Sequence, residues 1–163
     1  MSDKIAPDST VVIVGAGLGG IRVAENLRSG GHEGPVVMIG AEPHPPYDRP
    51  PLSKKVLTDA IGRVDLKPDE FFGDSTIDLR TGEHVDAVDP AGKTVTVSRA
   101  DGSTYEQSYD ALVIATGLAP REFPGAGGVD GVFTLRTIDD AERLRVAIGG
   151  AKAAVVIGAG FIG

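Results

Sequence analysis

A run of apolar, mostly β-branched residues near the N-terminus ends abruptly on a glycine. This run, Thr10–Val14, is apolar after its first residue, which predicts a strand buried on both faces, as in a parallel sheet. After Gly15 the apolar positions change to helical spacing, so a helix with one buried face is expected. That face consists of Leu18, Ile21, Ala24 and Leu27. A second apolar run, Val36–Ile39, follows a glycine-rich turn and completes a β-α-β unit.

The central part of the chain has a different pattern. One short helix is expected within Leu52–Asp59, and another within Pro68–Asp74, whose Phe71 and Phe72 are predicted to enter the core. Alternation of apolar and polar residues then begins, and Pro-Ala-Gly and Ala-Asp-Gly turns divide it into three strands of an antiparallel meander. These predicted strands are Glu83–Asp89, Lys93–Arg99 and Ser103–Gln107.

The last third of the chain returns to the first pattern. Ala111–Ala115 predicts another buried strand, and residues 118–131 are rich in proline and glycine, as in a linker. A helix should follow, with Thr137 as its N-cap and acidic residues in its first turn. Its apolar face consists of Ala141, Leu144 and Ile148. Residues 153–163 then repeat the opening of the chain, a predicted strand that ends on glycine.

Composition excludes several kinds of function. The 163-residue chain has no cysteine, which excludes disulfides, thiolate metal sites and a redox dithiol. Its histidines, His32, His44 and His84, lack the spacing of metal ligands, so no metal site is expected. A net charge of −7 with scattered Lys and Arg argues against a nucleic-acid or anionic-membrane surface. Without a bilayer-length apolar run or a secretory signal, the expected location is cytoplasmic.

The glycines after the first strand form a G-x-G-x-x-G motif in the strand-to-helix context that a dinucleotide-binding loop requires. They are Gly15, Gly17, Gly19 and Gly20. Glycine permits a tight turn, a close approach of the backbone to a pyrophosphate, and close packing of the helix on the strand. Glu42 follows the second strand, roughly 20 residues beyond the loop. It is placed to accept a hydrogen bond from the ribose 2′-hydroxyl of NAD or of the AMP half of FAD.

The glycine motif recurs at the end of the chain, as Gly158, Gly160 and Gly163. Two dinucleotide motifs in one chain suggest a flavin at one and a nicotinamide at the other. The predicted fold class is therefore α/β. A Rossmann-like FAD-binding domain, with a parallel sheet plus an antiparallel three-stranded meander, is expected over residues 1–117. The linker and the incomplete opening of a second, NAD-binding Rossmann-like domain are expected over residues 118–163.

The segment Tyr47–Lys54 reads YDRPPLSK and places two cations in a loop that prolines restrict. Its adjacent prolines fix backbone φ, so Arg49 and Lys54 lose less freedom when they meet a ligand. Two-electron reduction places negative charge on a flavin, and a nearby ammonium group stabilises that charge and raises the potential. Lys54 is therefore predicted to tune the flavin. A solvated lysine and a structural arginine are the alternative interpretations.

In their order along the chain, these motifs closely resemble those of the FAD-dependent ferredoxin reductases. The matching elements are the glycine loop, the glutamate, YDRPPLSK, the Ala115-Thr116-Gly117 turn, the L-R-T-x-x-D-A segment and the second glycine motif. Such reductases pass electrons from NADH through FAD to a [2Fe-2S] ferredoxin that serves a Rieske oxygenase or a haem-thiolate monooxygenase. The resemblance covers essentially the whole chain, and YDRPPLSK is its most specific part.

The resemblance also implies roles for individual residues. Lys54 would lie close to the isoalloxazine, the backbone of Val85 would contact adenine, and Arg136 would help to hold the cofactor. The implied FAD contacts are Gly15, Gly17, Gly19, Gly20, Glu42, Arg49, Lys54, Val85, Ala115, Thr116, Gly117 and Arg136. The implied contacts to the NADH pyrophosphate, in an incomplete site, are Gly158, Gly160 and Gly163.

The chain stops at the third glycine of the second motif, and in the family a glutamate two positions further pairs with the lysine that matches Lys54. The chain is thus expected to be the N-terminal portion of a longer reductase, to bind FAD weakly or not at all alone, and to transfer no hydride. The alternatives are an apoptosis-inducing-factor-like oxidoreductase, the flavoprotein segment of a nitrite reductase, and a non-catalytic nucleotide-binding module. Disulfide reductases of the same fold need cysteines that this chain lacks.

Overall fold

The computed structural model describes residues 5–59, 61–158 and 160, and these residues form two compact units. The first unit combines residues 5–47 with Asp65–Gly117. The second combines Asp48–Val64 with the described residues from Leu118 onwards. Most of the YDRPPLSK segment therefore belongs to the same unit as the C-terminal part of the chain, although it interrupts the first unit in sequence.

A four-stranded parallel sheet forms the centre of the first unit. Its strands are β1 (Val11–Val14), β2 (Val36–Gly40), β3 (Ile77–Thr81) and β7 (Ala111–Ile114). Their order in the sheet is β3-β2-β1-β7. Helix α1 (Leu18–Ser29) connects β1 and β2, so the predicted β-α-β unit is confirmed. The uninterrupted, mostly β-branched sequence of β1 and β2 suits positions that are covered on both faces.

The two faces of this sheet are covered by different elements. On one face, Ile21 and Ala24 of α1 pack against odd-numbered β1 residues and their neighbours in β2. On the other face, Val95 and Val97 pack against even-numbered β1 residues and their neighbours in β2. Every residue of β1 and β2 is thus buried.

The predicted three-stranded meander is confirmed as an antiparallel sheet of β4 (Glu83–Asp89), β5 (Thr94–Arg99) and β6 (Thr104–Ser108). Its register shifts between Val85 and Ala87, where an irregularity interrupts the pairing of β4 with β5. The short helix α3 (Glu70–Asp74) precedes β3. Phe72 is buried, as predicted, and Phe71 packs partly buried against the same core.

The second unit contains only helices and irregular chain among its described residues. The prediction that Leu52–Asp59 forms one helix is wrong in its continuity. The structure has a 3₁₀ helix at Pro50–Ser53 and a separate helix α2 at Lys55–Thr58. They are divided at Lys54, whose φ of −128° and ψ of −111° are not helical. Helix α4 (Ile138–Gly150) follows the linker and begins after Thr137, as predicted.

A reciprocal pair of hydrogen bonds between Thr137 and Asp140 holds the N-terminus of α4. The N–H of Asp140 donates to Thr137 Oγ1 at 3.1 Å, and the N–H of Thr137 donates to Asp140 Oδ2 at 2.9 Å. Arg136 N–H also donates to Oδ2, and Arg143 pairs with Oδ1. Burial favours the neutral form of Asp140, but these hydrogen bonds and the Arg143 charge outweigh it and hold the pKa of Asp140 below its ordinary value of 3.8.

Replacement of Asp140 by asparagine is expected to lower the free energy of unfolding by about 1 kcal/mol near neutral pH. A carboxylate with a depressed folded-state pKa stabilises the fold above its unfolded pKa, and this contribution is lost as the pH falls through the folded-state pKa. Urea unfolding should therefore show the deficit of Asp140→Asn shrinking below about pH 4. Glu142→Gln, an exposed site in the same helix, is the control and should match the wild type. A deficit that is independent of pH would contradict this account.

Three further sequence predictions differ from the structure. Strand β3 was not predicted, because its sequence IDLRT alternates like the meander that follows it, yet it pairs in parallel with β2. Leu18 is 52% exposed, because it lies in the first turn of α1 outside the cluster that Ile21 joins. β7 is only partly buried, and Ile114 is 68% exposed, because β7 is an edge strand.

The strand predicted in residues 153–157 is not formed in the described chain. Val155, Val156 and Ile157 are 89%, 68% and 72% exposed, and described residues 151–158 contain no strand. A strand needs a neighbour that completes its backbone hydrogen bonds, and the described part of the chain provides no such neighbour.

Candidate functional site

The glycine loop between β1 and α1 lies at the carboxyl end of the parallel sheet, where ligands bind in open α/β folds. Gly15 N–H donates to Ile39 O of β2 at 2.8 Å, and Ala115 N–H donates to Val14 O at 2.7 Å. The loop is therefore fixed between the ends of the two strands that flank β1. This is the position that the sequence predicted for it.

Two glycines of the loop are required by its close packing. Gly15 has a φ of +113°, and a Cβ there would lie 2.2 Å from the carbonyl oxygen of Ala115. A Cβ on Gly20 would lie 2.1 Å from the carbonyl oxygen of Gly15. Both contacts involve backbone atoms, which cannot rotate away as a side chain could. These glycines make the tight turn and the close helix-to-strand packing that the motif predicts.

The other two glycines border open space. Around Gly17 no heavy atom lies within 4 Å of the position of a Cβ, and at Gly19 the nearest is the Cβ of Ala115, at 3.9 Å. Gly17 has an ordinary extended conformation, with φ −104° and ψ −169°, so its backbone does not require glycine. Because Gly17 has no side chain, the space above its backbone is open to a bound ligand.

The N-terminus of α1 begins at this open space. Gly17 is the N-cap and makes no side-chain cap hydrogen bond, and the first turn carries no acidic residue. The first N–H groups of a helix have no partner within the helix, and the helix dipole makes this end positive. An anionic group such as a pyrophosphate is therefore suited to the space above Gly17.

Glu42 is the acidic residue that follows β2, and the structure holds it in place. Its backbone carbonyl accepts the N–H of Gly82 at 2.9 Å. Its carboxylate Oε2 accepts the hydroxyl of Tyr47 at 2.5 Å. Tyr47 is only 5% exposed, whereas Glu42 is half-buried. The glutamate is thus a partly exposed acceptor in the same unit as the glycine loop.

The remaining predicted contacts of the first unit lie at Val85 and in the turn after β7. Val85 is half-buried, pairs with Val97 and adjoins the irregularity in β4. Ala115 lies against Gly15, so this turn borders the glycine loop. Thr116 and Gly117 are exposed, and Gly117 has a φ of +71°.

The predicted contacts Arg49, Lys54 and Arg136 lie in the second unit. The guanidinium of Arg49 donates from Nη1 to the backbone carbonyl of Arg136 at 2.6 Å, which is the structural role that the sequence left open for it. Lys54 is exposed. Its backbone N–H donates to Pro51 O, and its own carbonyl accepts the N–H groups of Leu57 and Thr58. The backbone at Lys54 is therefore fixed by the two short helices around it.

The second glycine motif is only partly described. Gly158 has a φ of +137°, and a Cβ on Gly160 would meet no atom within 4 Å. Gly163 lies outside the described residues. Because no strand forms before Gly158, the strand-to-helix context of this motif is not present in the described chain.

The linker of the second unit borders a cavity of about 180 Å³, lined by residues such as Glu122, Phe123, Val129 and Thr134. None of the predicted site residues that the structure describes lines it. Within the described ranges, no group of three or more His, Cys, Asp or Glu side chains could hold a metal ion. No helix in the described part of the chain combines the length and apolar content that a membrane span requires.

Tyr47 is a residue of this region for which the sequence pattern predicts no role. The pattern of YDRPPLSK draws attention to its cations and prolines rather than to its first residue. A signal was available, because a tyrosine five residues after the predicted ribose acceptor can turn back on it when Pro43, Pro45 and Pro46 bend the chain between them. Only the folded loop shows that its hydroxyl meets that carboxylate.

Comparison with known proteins identifies the family. Residues 9–163 match the family model described as pyridine nucleotide-disulphide oxidoreductase. The chain belongs to the pyridine nucleotide-disulphide oxidoreductase family. This agrees with the predicted resemblance, since the FAD-dependent ferredoxin reductases are members of the same superfamily.

Proteins similar to this chain include ferredoxin reductases. The chain is 44% identical to the probable ferredoxin reductase CtmF of Castellaniella defragrans over 94% of its own length and 37% of the relative's. It is 40% identical to rhodocoxin reductase of Rhodococcus erythropolis, over 94% of this chain and 36% of the relative. The solved ferredoxin reductase for the CYP199A2 system of Rhodopseudomonas palustris is 36% identical, with a TM-score of 0.83. The match covers 94% of this chain and 37% of that protein. The chain thus spans little more than a third of the length of these proteins.

Proposed function

We propose that this oxidoreductase chain is part of a flavoprotein that passes electrons from NADH through FAD to a [2Fe-2S] ferredoxin serving an oxygenase. The observation that carries the proposal is the glycine loop at the carboxyl end of the sheet, with open space above Gly17 at the N-terminus of α1. The negative charge of the FAD pyrophosphate suits this space, because the N-terminus of a helix favours an anion. Glu42, at the end of the neighbouring strand, supplies an acceptor for the adenosine ribose.

The flavin itself supplies the electron chemistry, because it accepts a hydride from a nicotinamide and releases electrons singly to an iron-sulfur partner. The protein binds and orients it. In this proposal the first unit contributes Gly15, Gly17, Gly19, Gly20, Glu42, Val85, Ala115, Thr116 and Gly117. Arg49, Lys54 and Arg136 are assigned to FAD because the sequence resembles the ferredoxin reductases at these positions, with Lys54 as the cation that stabilises the reduced flavin. Gly158, Gly160 and Gly163 are assigned to the NADH pyrophosphate.

The ferredoxin partner and the oxygenase system are inferred from the relatives. The solved neighbours include a covalent complex of putidaredoxin reductase with putidaredoxin, to which this chain is 35% identical with a TM-score of 0.74. The named relatives include the ferredoxin reductase component of a chlorobenzene dioxygenase from Cupriavidus, at 39% identity. From the sequence motifs we assign the FAD-binding domain to residues 1–117 and the linker and the opening of the NAD-binding domain to residues 118–163, and we propose a cytoplasmic location.

Reconstitution of the complete gene product with FAD tests the proposal. The protein should retain FAD through gel filtration and show a flavin absorbance band at about 450 nm. Anaerobic mixing with NADH should bleach that band, and a [2Fe-2S] ferredoxin should restore it. NADPH is compared in parallel, because Glu42 belongs to the first nucleotide site and does not select between the two reductants. A protein that retains no FAD, or whose FAD is reduced by neither nucleotide, would contradict the proposal.

A further inference from the structure

We propose that Tyr47 is a positioning residue for FAD, whose phenol fixes the Glu42 carboxylate in the orientation that receives the adenosine ribose. This inference rests on the FAD site proposed above and adds a residue to it. Tyr47 itself does not touch the cofactor in this proposal. It acts through the glutamate.

The contact between the two side chains is short and partly shielded from water. The Tyr47 hydroxyl donates to Glu42 Oε2 at 2.5 Å, a length typical of a charge-assisted hydrogen bond to a carboxylate. Tyr47 is 5% exposed, so its ring is held by packing, while the half-buried Glu42 remains accessible from one side. A buried phenol that binds a partly exposed carboxylate fixes the more mobile of the two groups.

Backbone contacts hold both partners in place. Tyr47 pairs with Asp65 through an antiparallel β-bridge. The carbonyl of Glu42 accepts the N–H of Gly82, at the turn where β3 leads into β4. These contacts all lie within the first unit, which also contains the glycine loop. The Tyr47 hydroxyl is therefore a fixed donor, and the Glu42 carboxylate lies on a fixed backbone.

Fixing the carboxylate before FAD arrives should tighten binding. Ordering a glutamate side chain costs roughly 1.5–2 kcal/mol of rotamer entropy. Because Tyr47 orders the Glu42 side chain during folding, the loss of its rotamer entropy does not reduce the free energy of FAD binding. A carboxylate has about four acceptor sites, so one phenol donor is compatible with a further hydrogen bond from a ribose hydroxyl.

Titration of the complete gene product with FAD, followed by flavin fluorescence, tests this role. Tyr47→Phe keeps the ring and removes the hydroxyl, and it should raise the Kd for FAD about tenfold. Tyr109→Phe is the matched control. Tyr109 lies in the same unit and packs, half-buried, against the cluster between the parallel sheet and the meander. It should bind FAD like the wild type.

A double-mutant cycle separates positioning from a general loss of structure. In a Glu42→Ala background, Tyr47→Phe should change the Kd for FAD less than about twofold, since the acceptor of its hydroxyl is gone. An FAD analogue without the 2′-hydroxyl on its adenosine ribose should likewise show little effect of Tyr47→Phe. A purely structural tyrosine would weaken all of these complexes by the same factor.

The outcomes distinguish the two proposals. If Glu42→Ala weakens FAD binding and Tyr47→Phe does not, the positioning role is wrong and the FAD site stands. Equal losses with FAD and with the deoxy analogue would also overturn the positioning role. If the wild-type protein does not bind FAD, or Glu42→Ala binds it as the wild type does, the assigned site fails and the role of Tyr47 fails with it.

Discussion

Gly15→Ala is expected to lower the free energy of unfolding by about 3 kcal/mol or more. The φ of +113° at Gly15 lies in a region that residues with a Cβ rarely adopt. In addition, the new Cβ would lie 2.2 Å from the carbonyl oxygen of Ala115, so β1, β7 or the loop must move. Because the loop lies between the ends of these strands, the change should also abolish FAD binding.

Urea unfolding followed by circular dichroism measures this effect, and the chain offers a matched control. Gly31 also has a positive φ, of +83°, but a Cβ there would meet no atom within 4 Å. Gly31→Ala should therefore show only the backbone cost, about 1 kcal/mol. If Gly15→Ala is no less stable than Gly31→Ala, the close contact with Ala115 does not constrain the fold as described.

Gly17→Ala is expected to have the opposite signature, a large loss of FAD affinity with little change in stability. Its extended backbone tolerates alanine, and the added Cβ would meet no protein atom within 4 Å, so the free energy of unfolding should change by less than about 1 kcal/mol. The same methyl group would occupy the space assigned to the pyrophosphate. FAD should bind roughly 30-fold more weakly, the effect of about 2 kcal/mol of steric conflict.

Isothermal titration with FAD, together with urea unfolding, distinguishes this result from simple misfolding. Gly73→Ala serves as the control, since Gly73 lies in α3, is not among the predicted site residues, and a Cβ there would also meet nothing within 4 Å. It should bind FAD like the wild type and be as stable or slightly more stable. Wild-type affinity in Gly17→Ala would show that the pyrophosphate does not lie over this residue.

Much of the first unit could be predicted because its patterns are local and strong. The apolar runs of β1 and β2 are unbroken, α1 follows a glycine loop, and the meander alternates between well-marked turns. Thr137 with Asp140 three residues later is a capping signal, and α4 begins there. These signals are contained in a few consecutive residues, so no knowledge of distant contacts was needed.

Predictions failed where the outcome depended on distant partners. The sequence IDLRT of β3 alternates, and only its pairing with β2 makes it part of the parallel sheet. Residues 153–157 have the composition of a buried strand, but the described chain provides no strand beside them, and their side chains are exposed. A strand is stabilised by its neighbour, which local composition cannot reveal.

The sequence by itself determined the β-α-β unit, the meander, the capped helix, the glycine loop and the glutamate that follows β2, because propensity, periodicity and turn chemistry act over a few residues. Only the tertiary structure decided which face of the sheet each layer covers, which glycines are locked against neighbouring backbone and which border open space, and that Tyr47 binds Glu42. These properties depend on distances between atoms of separate segments, and such distances arise only when the segments pack together.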